Sequence, residues 1–481
     1  MKAVFVEKLN KKDKYPLVAV PFYKGKKQAE ECFSVKELKE QYDPILKLGD
    51  FKGDQGAIHF LYPDNGICRL ALVGLGDKLK DQNTFRKGYA SLVKKCRANK
   101  IKEIVVLLDG FTEEQVEGIF DGILSMNYRF DLYKKSLPLI EKVTFVGKKH
   151  NDLFEEKEKL FKGVYLTRDL VNENADQVTP SYLAKVAKDL EKKSAKVKTT
   201  ILDKKKLEKE KMGLLLAVSR GSSIEPRLIT VEYHGGKKGE KPIVLIGKGI
   251  TYDTGGLSLK PTSGMLDMKA DMGGAGCVLG TMEALINLGI KKNVVGVVTS
   301  AENSIDGNSY KIGDVYKSLS GKSVEINNTD AEGRLALADA IEYSNKYLNP
   351  KCIIDLATLT GGILVALGDE VTGLFTDDDK LATQLEKASE KSGEQIWRMP
   401  IHADYRKLLD SEIADIVNSA GRNASAITAA LFLKEFVGKT PWVHFDIAGP
   451  AFYDKPRGIY PTQATGIGVK LLIEFLKKKD V

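Results

Sequence analysis

The stretch Asn327-Asn328-Thr329-Asp330-Ala331-Glu332-Gly333-Arg334-Leu335 sets two carboxylates with a single residue between them, then a glycine, an arginine and a helix-like run. In an extended backbone, side chains two positions apart point the same way, so Asp330 and Glu332 can converge on one point. Gly333 lets the backbone approach whatever sits there, and Arg334 adds a fixed charge with a bidentate fork. Upstream, Gly247-Lys248-Gly249-Ile250-Thr251-Tyr252-Asp253-Thr254-Gly255-Gly256 is followed by Lys260 and Asp271. The combined acids, lysines and arginine suit a pair of divalent cations and a polarised carbonyl.

In such a dinuclear centre, Asp253, Asp271, Asp330 and Glu332 would balance two divalent cations if Lys248 were neutral. Repulsion by the cations and burial should lower the pKa of Lys248, making an amine ligand chemically sound. Lys260 could remain charged and stabilise an oxyanion. Arg334 could hold a small anion, or a substrate carboxyl or carbonyl. Surface or capping acids in glycine-rich loops are the bland reading of either stretch, and it weakens when both are taken together. A phosphate loop fits less well, because the Walker spacing is missing and Asp253 would repel a phosphate. No histidine lies in either stretch, and Ser258 and Thr329 have no base nearby in sequence, so a Ser-His-Asp route lacks local support. His444 reads as a core or supporting residue rather than a ligand.

Strands and helices must carry these residues. Strand patterns at Leu17–Val20, Ala57–Leu61, Arg69–Val73, Glu103–Leu108 and Lys142–Gly147 alternate with helical patterns at Asn83–Lys100 and Glu113–Tyr128. This predicts an N-terminal α/β domain, residues 1–150, structural or regulatory in role, in which His59 and His150 have no partner pattern. Residues 151–178 read as a connecting helix and 179–481 as the catalytic domain. In the latter, strands at Leu228–Tyr233, Ile243–Ile246, Asn293–Val298, Cys352–Leu356 and Trp442–Asp446 alternate with helices at Gly274–Leu288 and Arg334–Tyr347. A mixed sheet with helices on both faces follows, with ligands beyond the C-terminal strand ends. Lys248 and Asp253 are then expected just past a strand ending at Ile246.

A chain of 481 residues with 43% hydrophobic and 29% charged content reads as globular and more than one domain. No apolar run reaches the ~18–20 residues of a membrane span, and no signal peptide is read at the N-terminus. Five scattered cysteines without CxxC spacing point to a reducing compartment, hence a cytoplasmic location. The net charge of +9 permits nucleic-acid contact. The densest lysine run, Lys192–Lys211, is interleaved with acids and lacks aromatics, which favours a solvated helix face and loop.

The motif Asn328–Leu335 resembles the signature of the leucyl (cytosol) aminopeptidase family, and Gly247–Gly256 its metal-lysine loop. Met268–Gly274, Ala357–Gly361, Trp397–Pro400 and Trp442–Pro450 also fit, so the resemblance runs from about Leu166 to the C-terminus. It implies a smaller, macro-like N-terminal α/β domain followed by a larger α/β catalytic domain with a mixed central sheet. It also implies that Lys248, Asp253, Asp271 and Glu332 bind one metal, and Asp253, Asp330 and Glu332 the other. The metals would be Mn²⁺ or Zn²⁺. Lys260 and Arg334 would be catalytic, Arg334 positioning a bicarbonate general base. Met268, Asn328, Thr358, Leu359 and Gly361 would shape the substrate pocket of a homohexamer. The expected reaction is attack of a metal-bridging water or hydroxide on the scissile carbonyl of a peptide's N-terminal residue, leucine-like side chains being preferred, in intracellular peptide turnover. Two alternatives stay open: an architectural DNA-binding protein on this scaffold, with or without peptidase activity, and a dinuclear phosphohydrolase.

Overall fold

A computed structural model describes residues 1–9, 14–24, 36–63, 67–77 and 81–479. The chain divides into two compact units, Met1–Phe161 with Asp454–Thr462, and Lys162–Tyr453 with Gln463–Val481. The helix Asn151–Asn172 runs through the division. Of the five cysteines, Cys32 lies outside the described residues, and Cys68, Cys96, Cys277 and Cys352 are free thiols. Among the described residues, no helix is long and apolar enough to cross a membrane.

The first unit is built on β1 (Lys2–Val6), β2 (Val18–Phe22), β3 (Ile58–Leu61), β4 (Leu70–Gly74), β5 (Glu103–Leu107) and β6 (Lys142–Val146), in the order β1-β6-β5-β2-β4-β3. Only the β3–β4 pair is antiparallel. Fully buried Val18, Val20, Leu70 and Leu72 explain the apolar runs, as expected for parallel strands covered on both faces. The helix Glu113–Met126 opens with a capping box between Thr112 and Gln115. The returning segment Asp454–Thr462 is tied to this unit by Ser125 Oγ donating to Ile459 O at 2.7 Å.

The second unit carries β7 (Val197–Leu202), β8 (Arg227–His234), β9 (Ile243–Asp253) and β10 (Asn293–Asn303). After the short β11 (Val315–Lys317) and β12 (Ser323–Glu325) come β13 (Cys352–Ala357), β14 (Thr372–Phe375), β15 (Ile396–Arg398), β16 (Ile416–Val417) and β17 (Trp442–Asp446). The main sheet runs β15-β14-β17-β13-β9-β10-β8-β7, and β17, β13, β9 and β10 form its parallel centre. Antiparallel pairs at β8 and β14 make it mixed. β11, β12 and β16 form a separate small sheet.

Two differences from the sequence expectation matter. β9 does not end at Ile246 but runs to Asp253, because β10 pairs with it from Val294↔Ile243 to Asn303↔Asp253. Lys248 and Asp253 therefore lie on the strand and not in a loop past it. The lysine-rich run Lys192–Lys211 also contains a strand, β7, whose Val197 and Leu202 are buried against the sheet before the exposed helix Lys204–Glu210 begins.

The alternation of β9 sorts its neighbours. Val244 and Ile246 join a core with Leu335 and Ala336 of the helix Glu332–Tyr347. On the other face, a methyl on Gly247 would meet Gly274 O at 2.5 Å, so the helix Gly273–Leu288 lies directly on the strand. Lys248 shares the first face, which aims it at the start of the helix Glu332–Tyr347.

Candidate metal centre

The C-terminal ends of the parallel strands gather the residues singled out by their chemistry. Lys248 rises from β9 between two carboxylates. Its Nζ lies 2.8 Å from Asp271 Oδ1 and 2.8 Å from Glu332 Oε1, and donates to Thr358 O at 2.9 Å. Asp271 is carried by the 3-10 turn Met268–Met272, and Glu332 opens its helix. Gly333 makes this possible, since a methyl there would stand 2.5 Å from Lys248 Cε. Lys260 reaches back to Asp253 Oδ2 at 2.9 Å and also pairs with Asp330.

Asp330 and Glu332 do converge, but by a different route from the one expected. The backbone is not extended there: Thr329 and Asp330 form a turn, and Ala331 (φ −112°, ψ 42°) leads into the helix. One oxygen each from Asp253, Asp330 and Glu332 lies within 4.8 Å of the others. Asp253, Asp271 and Glu332 are buried, with side-chain exposures of 3%, 5% and 1%. Asp330 is 34% exposed, so the cluster opens to solvent on its side.

Three buried carboxylate oxygens of the cluster face groups other than a neutral hydrogen-bond donor: Asp271 Oδ2, Asp330 Oδ1 and Glu332 Oε1. The last two are ion-paired with Lys260 and Lys248 respectively, which leaves Asp271 Oδ2 as the acceptor with no partner. Burial, the largest cause, pushes the Asp271, Asp330 and Glu332 carboxyls above the usual range; neighbouring carboxylates add to it and the lysines oppose it. Four carboxylates crowded together, one with an unpartnered buried oxygen and three with oxygens within 4.8 Å of one another, are what a hard or borderline cation satisfies, so this donor set fits divalent metal. The expectation for Lys248 assumed cations. With carboxylates alone around it, burial pulls its pKa down, but Asp271, Glu332 and Asp253 outweigh burial and hold it above the ordinary value.

Arg334 is 6% exposed; its Nη1 donates to Asn418 O at 2.9 Å, and its Nε has no partner. Burial pulls this guanidinium down to about 10 against the opposing pull of Glu332, Asp446 and Asp330. A buried guanidinium with a spare donor is a seat for a small anion.

Of the expected pocket residues, Thr358 faces the cluster with both its carbonyl, taken by Lys248, and its hydroxyl, which donates to Asp271 Oδ1 at 2.8 Å. Leu359 follows, half-buried, with its N–H on Asp446 Oδ1 at 3.1 Å. Gly361 begins the helix Gly361–Leu367 and has open space where a side chain would stand. Asn328 Oδ1 accepts from the Asp330 N–H at 3.0 Å. Met268 stands at the start of the turn that bears Asp271. His444 is fully buried in β17, its Nδ1 2.6 Å from Asp355 Oδ1.

Sequence reasoning missed the residues that hold the loops. Asn303, at the end of β10, donates to Asp253 Oδ1 at 2.7 Å and to Thr329 O at 3.1 Å. Tyr310 OH donates to the same carbonyl at 2.7 Å. Asn418, just after β16, accepts from the Asn327 N–H at 3.0 Å and donates to Asn328 O at 2.6 Å. A polar residue ending an apolar strand could have marked Asn303. Nothing local marks Asn418, about 90 residues from the loop it fastens.

Comparison with known proteins identifies the family. The catalytic-domain profile of the cytosol aminopeptidase family matches residues 165–473, and the family's N-terminal-domain profile matches residues 19–137. A probable cytosol aminopeptidase of Protochlamydia amoebophila (strain UWE25) is 45% identical over 485 residues, covering 98% of this chain and 97% of its own. A probable cytosol aminopeptidase of Chlamydia trachomatis serovar D is 44% identical over 488 residues, with the same coverage of 98% and 97%. Among solved structures, a mutant tomato leucine aminopeptidase superposes with a TM-score of 0.88 at 32% identity, covering 99% of this chain and 96% of that one. The bottromycin maturation enzyme BotP in complex with Mn has a TM-score of 0.85 at 32% identity, covering 96% and 98%.

Proposed function

Because the chain belongs to the cytosol aminopeptidase family and is a peptidase of that kind, we propose that it releases N-terminal residues, leucine-like ones by preference, and that the cluster around Glu332 is its catalytic centre. The observation that carries this reading is the convergence of Asp253, Asp330 and Glu332, with buried Asp271 carrying an unpartnered oxygen, beside two lysines and a buried arginine. Lys248, Asp253, Asp271 and Glu332 would hold one divalent cation and Asp253, Asp330 and Glu332 the second, so that Asp253 and Glu332 are shared. Two such ions, Mn²⁺ or Zn²⁺, supply Lewis-acid polarisation of a carbonyl and acidify water at neutral pH.

The chain's own groups do the rest. Lys260, which reaches Asp253 and Asp330, would direct its ammonium at the oxygen on which charge develops. Arg334 seats a bicarbonate ion through its free Nε, which places a general base beside the scissile bond. Thr358, Leu359, Gly361, Met268 and Asn328 receive the substrate's first side chain. An apolar pocket discriminates by only ~1–3 kcal/mol per methylene, so leucine preference is accompanied by broad acceptance. A homohexamer in the cytoplasm, acting in peptide turnover, belongs to the same reading; light scattering on the purified protein tests the assembly.

The deciding experiment is hydrolysis of leucine p-nitroanilide by metal-stripped protein, and again after Mn²⁺ or Zn²⁺ is restored, with an N-acetylated peptide as control. Metal-dependent cleavage of the free-amine substrate alone supports the assignment. Absence of cleavage with metal demonstrably bound overturns it.

A further inference from the structure

At the opposite end of the central strands from the metal centre, the second unit has a cavity of about 830 Å³ whose lining, among the described residues, includes eight lysines and a single glutamate. Across the whole chain 74 Lys and Arg are nearly balanced by 65 Asp and Glu, whereas lysines far outnumber acids among the described residues of this lining. The lysines are far apart in sequence and are collected by register. β9, β10 and β13 start level with one another, Ile243 pairing with both Val294 and Cys352. The residues just before each strand, Lys241, Lys291, Lys292 and Lys351, are therefore brought to one rim. The Lys351 N–H donates to Pro242 O at 2.8 Å and the Gly235 N–H to Lys292 O at 3.2 Å, which fixes that alignment. Lys237 joins from the β8–β9 loop, and three more lysines follow the helix Val469–Leu476.

Helix-end preference accounts for the last three, because cations collect at helix C-termini. Two of them are also engaged, Lys477 with Glu474 at 3.0 Å and Lys478 with Gln384 O at 2.6 Å. It does not account for Lys237 and Lys241, which stand on the loop between β8 and β9; these two and Lys351, on the short link from the helix Glu332–Tyr347 into β13, make no ion pair among the described residues. Nor does the one acid neutralise them directly. Glu240 turns back on its own loop, where its Oε2 accepts from the Lys237 N–H at 3.3 Å. Asn293 pins the same loop by donating to Lys237 O at 2.8 Å and Glu240 O at 3.1 Å. Backbone and amide contacts thus hold this loop in place, and Lys237, Lys241 and Lys351 line the concavity without an ion pair among the described residues.

We propose that this lysine-walled cavity is a binding site for a small polyphosphate anion, the triphosphate chain of a nucleotide or an inorganic polyphosphate. A monovalent anion would leave most of the charge unmet, whereas a chain of phosphates meets several ammonium groups at once. Ammonium groups act as point charges suited to phosphate, and the lining contains no arginine fork for a carboxylate. It contains no aromatic ring on which unpaired bases would stack, which separates it from a single-strand nucleic-acid site. The volume falls within the ~300–1,000 Å³ usual for small-molecule sites.

Calorimetric titration of the full-length protein with inorganic tripolyphosphate tests this, with ATP and a single-stranded oligonucleotide as parallel arms. The double variant Lys241→Ala/Lys351→Ala alters exposed side chains outside the catalytic centre, and its peptide hydrolysis confirms that it is folded. Lys204→Ala/Lys205→Ala, in the exposed basic helix of the same unit, is the control for diffuse charge. The expected result is one-site binding that weakens by about tenfold or more in the cavity variant and less than about twofold in the control. Equal affinity for ATP and tripolyphosphate identifies the phosphate chain as the ligand, and tighter ATP binding identifies a nucleotide. Lack of binding, equal weakening by both variants, or an oligonucleotide that displaces tripolyphosphate through the same lysines overturns the proposal.

Discussion

Gly333→Ala should leave the fold standing and cut the activity by about a hundredfold. A methyl built on Gly333 stands 2.5 Å from Lys248 Cε and 2.7 Å from both its Cδ and Nζ. All three atoms belong to one flexible side chain, so the lysine yields and the backbone does not. Moving Cε out to ordinary contact at 3.4 Å shifts it by ~0.9 Å. Lys248 Nζ sits 2.8 Å from both Asp271 and Glu332, and a shift of that size disturbs both distances at once. A misplacement of ~1 Å among catalytic groups costs on the order of a hundredfold in rate. Stability should change little. Gly333 is helical, and alanine is favoured there over glycine by ~0.5–1 kcal/mol, which offsets part of the strain on the lysine. The assay is kcat/KM on leucine p-nitroanilide alongside metal content and the thermal midpoint. A variant within about threefold of the parent rate would refute the role given to the placement of Lys248. Lost activity with a collapsed midpoint would show that the backbone had given way instead.

Four further outcomes are expected. Glu332→Ala should abolish hydrolysis, because the shared carboxylate is lost; substantial metal-dependent turnover in that variant would contradict the assignment. Lys260→Ala should lower kcat with metal content unchanged, as measured by atomic emission, and loss of metal would instead make Lys260 structural. Asn418→Ala removes the side-chain bonds to the Asn327 N–H and Asn328 O, and should cost about 2 kcal/mol in denaturant unfolding together with activity; an unchanged unfolding midpoint would count against it. Burial pushes Asp339 up to about 8, even though the Leu215 and Leu319 N–H groups bond its carboxyl. The native state then holds the Asp339 proton more tightly than the unfolded chain does. That contribution is fully present below about pH 4 and is lost as pH rises through about 8. Relative to Asp339→Asn, the parent should lose stability across that window, and a pH-independent difference would refute the shift.

The chemistry of the centre was legible because it is local. Asp330, Glu332, Gly333 and Arg334 are nearly adjacent, and Lys248 and Asp253 share one stretch, so residue type and spacing alone suggested a dinuclear site. The alternating α/β pattern was equally readable, since buried parallel strands such as β9 and β13 need continuous apolar runs. Where local pattern and partner disagree, only the fold decides. The polar, glycine-rich end of β9 gives no strand signal, yet it is strand through Asp253 because β10 supplies its hydrogen bonds. Asp330 and Glu332 meet through a turn and a helix start, which their spacing did not specify. Asn303 and Asn418 act on loops brought to them by sheet registers. The lysine cavity has the same origin, as its charges meet only where three strands begin level with one another. Residue chemistry is written into the chain one position at a time. Which residues face one another depends on backbone pairing across tens to hundreds of residues, and that pairing exists only in the folded state.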